Sequence, residues 1–176
     1  MLASMLWSAR GGTAVGRAGR LKESGDGGAM KQGSSVVVCR GCGTHNRVPA
    51  TADGLPRCAR CHVDLAWVAD ARTEDFAAIV EQAPLPVIVD LWAPWCGPCR
   101  MVSPALEQVA GELAGTIKLV KVNVDESPQL SARFGVQGIP TLLLFRGGQL
   151  LDRLTGARPA GELRRWVETT LARVAQ

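Results

Sequence analysis

Six cysteines in three pairs, Cys39/Cys42, Cys58/Cys61 and Cys96/Cys99, constrain this chain more than any other feature. Two residues separate the members of each pair. A disulfide-stapled secreted domain would scatter its cysteines through many loops. Paired spacing reads instead as metal binding or redox chemistry in a reducing compartment. Cys39-X2-Cys42 and Cys58-X2-Cys61 stand fifteen residues apart, the spacing of two facing knuckles in a zinc ribbon. Four thiolates close a tetrahedral site and leave no position for water. One zinc per chain, held by Cys39, Cys42, Cys58 and Cys61, is therefore expected to be structural. Residues 35–66 are too few to own a core, and the metal would supply their folding energy. His45 and His62 flank the knuckles and are expected in solvent or behind the ligands. Two extra redox pairs are the competing reading, but neither pair has the sequence context of the third.

The chain has 176 residues, 47% of them hydrophobic, enough for one ordinary domain with a small appendage. No apolar run approaches the ~20 residues of a membrane helix, so a soluble protein without membrane partners is expected. The net charge is +4. Residues 1–34 hold five basic and two acidic side chains, and residues 35–176 hold fifteen and fourteen. That balance excludes the broad basic face that nucleic acid requires. Residues 1–34 carry eight glycines and no apolar periodicity, and read as a disordered tail. Two other readings stay open: a mitochondrial presequence built on Arg10, Arg17 and Arg20, or a true start at Met30.

From about Trp67 to the end at residue 176, strand and helix patterns alternate. Thr73 is a candidate N-cap for a helix bearing Phe76, Ile79 and Val80, which Pro84 and Pro86 end. Val87–Trp92 is a strand apolar on both faces. A helix opening near Cys96 and ending near Ala114 contains Pro104, where a kink is expected. Ile117–Val124 is a strand and Ser127–Phe134 a short helix. Thr141–Phe145 and Gln149–Thr155 form a hairpin about Gly147-Gly148, and Pro159–Val174 is a final amphipathic helix. The order β-α-β-α-β-α-β-β-α places residues 67–176 in the α/β class with a mixed sheet.

The chemistry concentrates in Trp95-Cys96-Gly97-Pro98-Cys99. A helix N-terminus offers unpaired N–H groups and a positive dipole end, and both stabilise a thiolate. Cys96 is thus the expected nucleophile, and Cys99, one turn deeper, can close a disulfide with it. Lowering the thiol pKa as in other Cys-X-X-Cys pairs, worth about 2 kcal/mol from the terminus and local hydrogen bonds, would raise the thiolate fraction near pH ~7.4 from roughly 7% to ~70%. No basic residue lies between the sulfurs, which favours a reducing pair. Asp90 interrupts an otherwise apolar strand. It is either a strand-end acid reaching solvent or the next turn, or a buried acid held near neutrality.

With Gly138-Ile139-Pro140-Thr141 downstream, this motif resembles the thioredoxin family over residues from about Trp67 to Ala172. The resemblance implies a thioredoxin fold, a central mixed sheet flanked by helices, behind a small four-cysteine zinc ribbon. It also implies that Cys96 and Cys99 form the redox disulfide. Asp90 would move a proton to or from Cys99, with Lys121 as its neighbour, and the bond before Pro140 would be cis. Trp95, Gly97, Pro98, Gly138, Ile139, Pro140, Gly156 and Ala157 match the substrate-docking surface, although Gly156 is equally a plain turn glycine. Leu91 departs from the aromatic residue common in the family, which alters packing only. A ribbon joined to such a domain resembles the bacterial thioredoxin 2 subgroup. That implies a cytoplasmic bacterial protein, with mitochondria the minor alternative.

The expected function is reduction of disulfide-containing proteins by a monomer. An NADPH-dependent thioredoxin reductase would recharge it, because the chain has no Gly-rich dinucleotide loop and needs no bound organic cofactor. The alternative is a zinc-dependent, redox-switched chaperone or a protein-binding module. For such a module Arg40, Arg47, Arg57 and Arg60 give only a weak basic surface.

Overall fold

The computed structural model describes residues 33–52 and 54–174; the tail read as disordered lies outside them, apart from its last two residues. In chain order the elements are β1 (Ser34–Val38), β2 (His45–Pro49), β3 (Trp67–Asp70), β4 (Val87–Trp92) and α1 (Gly97–Glu112). Then come β5 (Lys118–Asn123), α2 (Pro128–Arg133), β6 (Thr141–Arg146), β7 (Gln149–Thr155) and α3 (Ala160–Val174). β1 and β2 form an antiparallel hairpin, and the remaining strands form one sheet ordered β3-β5-β4-β6-β7. β3, β4 and β5 are parallel, while β6 and β7 run antiparallel to their neighbours. The mixed sheet expected from the element order is present.

Side chains alternate across each strand, so the sheet buries two faces. Val87, Val89 and Leu91 join Val120, Val122, Leu143 and Phe145 on one face. Ile88 joins Leu119, Leu142 and Leu144 on the other, covered by Val102, Leu106 and Val109 of α1 and by Leu163 and Val167 of α3. α1 continues through Pro104.

Two local expectations need correction. Thr73 does not cap a helix: its hydroxyl donates to Gln129 at 3.2 Å. The Asp75 carboxylate instead accepts from the Arg72 N–H at 2.7 Å. The helix expected there is a single wide π turn, Ala77–Glu81, with Gln82 N–H bonded to the Ala77 carbonyl. The Lys118 ammonium donates to the Ile79 carbonyl of this turn at 2.5 Å.

Lys118 also seats the N-terminal unit on the sheet. Its ammonium donates to the Ala50 carbonyl at 2.6 Å and lies 4.6 Å from the centre of the Trp67 ring. Trp67 Nε1 donates to the Pro49 carbonyl at 2.9 Å, and Ser35 Oγ to the Val68 carbonyl at 2.5 Å. Val48, Leu65 and Trp67 pack with Cys39 and Cys58 in one buried cluster. Burial pushes the Lys118 pKa down to about 8, which leaves it largely charged at neutral pH. Lys118→Met would strand two buried carbonyls. Urea unfolding is expected to show a loss of about 3 kcal/mol, and an unchanged midpoint would remove Lys118 from this role.

Candidate active site and metal centre

β4 delivers the chain to a turn, and Cys96 then caps α1 with an extended backbone, φ −79° and ψ 105°. Its Sγ accepts the Cys99 N–H at 3.1 Å. Pro98 sits in the first turn, where a missing N–H costs nothing. Cys96 and Cys99 are buried and joined by a disulfide. The Ile139 carbonyl oxygen lies 3.8 Å from Cys96 Sγ, and the Ile139–Pro140 bond is cis. Thr141 Oγ1 donates to the Gly138 carbonyl at 2.6 Å, and Gly156 N–H to the Pro140 carbonyl at 2.9 Å. The fold therefore brings Gly138, Ile139, Pro140 and Gly156 together beside the cysteines. Gly156 has a φ of +88°, so this turn requires glycine whatever else it does. Ala157 packs against the α1–α3 core rather than standing free.

Trp95 is 68% exposed, and its Nε1 donates to Asp125 at 2.9 Å. With Val124, Pro128, Val136, Gly138 and Ile139 it lines an open, mainly apolar groove of about 480 Å³.

Asp90 is fully buried, and neither carboxylate oxygen has a hydrogen-bond partner. The reading of a strand-end acid reaching solvent or capping a turn is thereby overturned. Asp90 lies directly opposite Lys121 on β5 and Leu142 on β6. Like Leu142, it faces the layer that α1 covers. Burial raises its pKa to about 7, Lys121 opposes the rise and Glu107 adds to it. Lys121 places its ammonium 3.3 Å from Glu107 and 5.7 Å from the centre of the Trp92 ring.

The sign of the resulting pH dependence follows from the proton count. The folded protein keeps the Asp90 proton up to about pH 7, whereas the unfolded chain releases it near 4. Stability associated with this group is complete below that unfolded value and falls as pH rises toward 7. Asp90→Asn removes the loss, so its stability relative to wild type should rise by about 4 kcal/mol between pH 4 and pH 8. Denaturant midpoints across that range are the check; a flat difference contradicts the buried acid.

The other four sulfurs form a separate cluster in which all Sγ atoms lie within 4.8 Å of one another. The Cys39–Cys61 and Cys42–Cys58 distances are both 3.5 Å. A tetrahedral zinc with bonds of about 2.3 Å demands sulfur separations near ~3.8 Å, so the donor set fits that ion. The knuckles are built alike. Gly43 N–H bonds the Cys39 carbonyl at 2.8 Å and His62 N–H the Cys58 carbonyl at 3.0 Å, with φ of +73° and +60°. His62 thus serves the turn through its backbone, and neither histidine belongs to the cluster. Asn46 braces it, accepting from Ala59 N–H at 2.9 Å and placing Nδ2 3.7 Å from Cys58 Sγ. Backbone N–H groups of Cys61 and Arg60 hold the Cys58 thiol down to about 6, against burial.

The family model for thioredoxin matches residues 67–169, from β3 into α3. The chain belongs to the thioredoxin family. Thioredoxin 1 of Nostoc sp. is 48% identical over 96 residues, covering 54% of this chain and 90% of that protein. The Haemophilus influenzae thioredoxin is 45% identical over 93 residues, 53% of this chain and 87% of the relative. The chloroplastic M-type thioredoxin of Chlamydomonas reinhardtii is 39% identical over 123 residues, 70% and 86% respectively. This thioredoxin is a protein-disulfide oxidoreductase. Reading the sequence missed three residues: Glu107 and Asp125 beside the redox site, and Asn46 at the four-cysteine cluster. Only Glu107 carried a signal, since eight residues beyond Cys99 is close to two helical turns. The four-cysteine unit precedes the matched thioredoxin residues.

Proposed function

We propose that this thioredoxin works as a reductase, with Cys96 attacking and Cys99 resolving. The observation that carries the assignment is the position of Cys96 as the cap of α1, its sulfur taking the Cys99 N–H at 3.1 Å. In the reduced protein the same donors stabilise a Cys96 thiolate. That thiolate attacks one sulfur of a substrate disulfide, forms a mixed disulfide and expels the other sulfur as a thiolate. Cys99 loses its proton to Asp90 and attacks Cys96 Sγ. This step restores the Cys96–Cys99 disulfide and releases the second substrate thiol. Two electrons have then passed to the substrate. Lys121 neighbours the acid.

Substrates would dock as an extended segment against Trp95, Gly97, Pro98, Gly138, Ile139, Pro140, Gly156 and Ala157, hydrogen-bonding to the Ile139 backbone. Two electrons from an NADPH-dependent thioredoxin reductase return the disulfide to the dithiol. Cys39, Cys42, Cys58 and Cys61 would hold one structural zinc. This reading divides the chain into a tail (1–34), a ribbon (35–66) and a thioredoxin domain (67–176). It places the protein in the thioredoxin 2 subgroup, as a monomer of the bacterial cytoplasm. No specific observation favours the chaperone or binding-module alternative; Arg57, for example, is already paired with Asp64 at 3.1 Å. The test is turbidimetric reduction of insulin with thioredoxin reductase and NADPH. Wild-type protein that leaves insulin intact would overturn the assignment.

A further inference from the structure

The buried acid has a neighbour whose only cation is engaged elsewhere. Lys121 stands directly opposite Asp90 in the parallel β4–β5 register, yet the Asp90 oxygens have no hydrogen-bond partner. The Lys121 ammonium points instead to Glu107 on α1, 3.3 Å away. Glu107 is 55% exposed and Lys121 20%, so the contact contributes little to stability. A lysine bears one compact charge on a flexible stem. The carboxylate that holds it decides what the other one experiences.

We propose that Glu107 is a positioning residue, holding the Lys121 ammonium off Asp90 so that Asp90 keeps an exchangeable proton at neutral pH. This rests on the reductase reading, in which Asp90 serves Cys99, and it adds a residue that does not touch the sulfurs. A carboxyl in direct contact with an ammonium is driven to its ionised form, and an acid already ionised is a poor proton donor to a leaving Cys99 thiolate. A carboxyl with no cation nearby stays protonated well above neutrality and is a poor base. Sharing Lys121 puts Asp90 between these limits. Other groups around the pair do not take over the task. Leu142 faces Asp90 from β6, and Asp70, opposite Lys121 on β3, is exposed. Arg72 is paired with Glu126 at 2.9 Å across the adjoining cavity, which Asn123 also lines. On α1 the charged neighbour is Glu107, and Arg40 of the N-terminal unit lines the groove beside Glu107.

The test is a carboxyl-carbon NMR titration of Asp90 in the oxidised full-length protein, which needs no catalytic activity. Glu107→Gln should move the Asp90 midpoint down by about half a pH unit, and Glu107→Asp should restore most of the shift. In a Lys121→Met background the Glu107→Gln change should shift the midpoint by less than half as much. The acidic limb of the pH profile for insulin reduction should move with the NMR midpoint. An unmoved midpoint in Glu107→Gln overturns the proposal while leaving the reductase assignment intact. An equal shift with and without Lys121 also overturns it, because Glu107 would then act by direct repulsion.

Discussion

Cys96→Ser is expected to reduce insulin at about a thousandth of the wild-type rate or less. A serine hydroxyl does not ionise near neutral pH, so the helix terminus that stabilises a thiolate has nothing to act on. The companion variant separates attack from resolution. Cys99→Ser keeps the attacking sulfur and loses the resolving one, so it should accumulate a covalent complex with substrate, visible as a shifted band on a non-reducing gel. Cys99 is fully buried and Cys96 retains slight exposure, which gives the order of the two steps a steric basis. If Cys99→Ser turned over normally and Cys96→Ser trapped substrate, the assigned polarity would be reversed.

The second large effect is expected from the metal. Metal analysis should find one zinc per chain, and Cys58→Ser should bring the content close to zero. Structural zinc sites contribute much of the folding energy of the small units that hold them. Here the loss should spread beyond the knuckles. Ala50 supplies the carbonyl that accepts from Lys118, and Cys39 and Cys58 pack with Trp67 of β3. Without the metal, Lys118 loses a partner in a buried setting and Trp67 loses part of its cover. The variant should therefore unfold at a clearly lower temperature than wild type, as one shifted transition, while its Cys96–Cys99 pair still exchanges with dithiothreitol. A metal-free protein of full thermal stability would remove zinc from the account.

What is legible in the sequence is local or strongly patterned. The cysteine pairs stand out by their spacing, sequence context sets the third apart from the other two, and Asp90 stands out because an acid in an apolar strand must be explained. The seat of the N-terminal unit is not legible. Lys118 looks like any lysine at a strand edge, and only the tertiary fold carries its ammonium to Ala50, 68 residues away. Thr73 misleads for a related reason: its hydroxyl bonds Gln129, 56 residues away, which only the fold brings near. Glu107 looks like a solvated helix position, which it mostly is. Its significance comes from the strand beneath the helix.

Seating the N-terminal unit along β3 has a further consequence for how copies of this protein meet. An open sheet offers a row of unpaired backbone groups at each flank, which invites strand addition and aggregation. At the β3 flank the Val68 carbonyl is already taken by Ser35 and Trp67 is buried, so that side is guarded. The β7 flank carries Asp152 and Arg153, charges that discourage a second sheet from docking there. The sheet thus has both flanks defended by different means, while Trp95 and its apolar groove stay exposed.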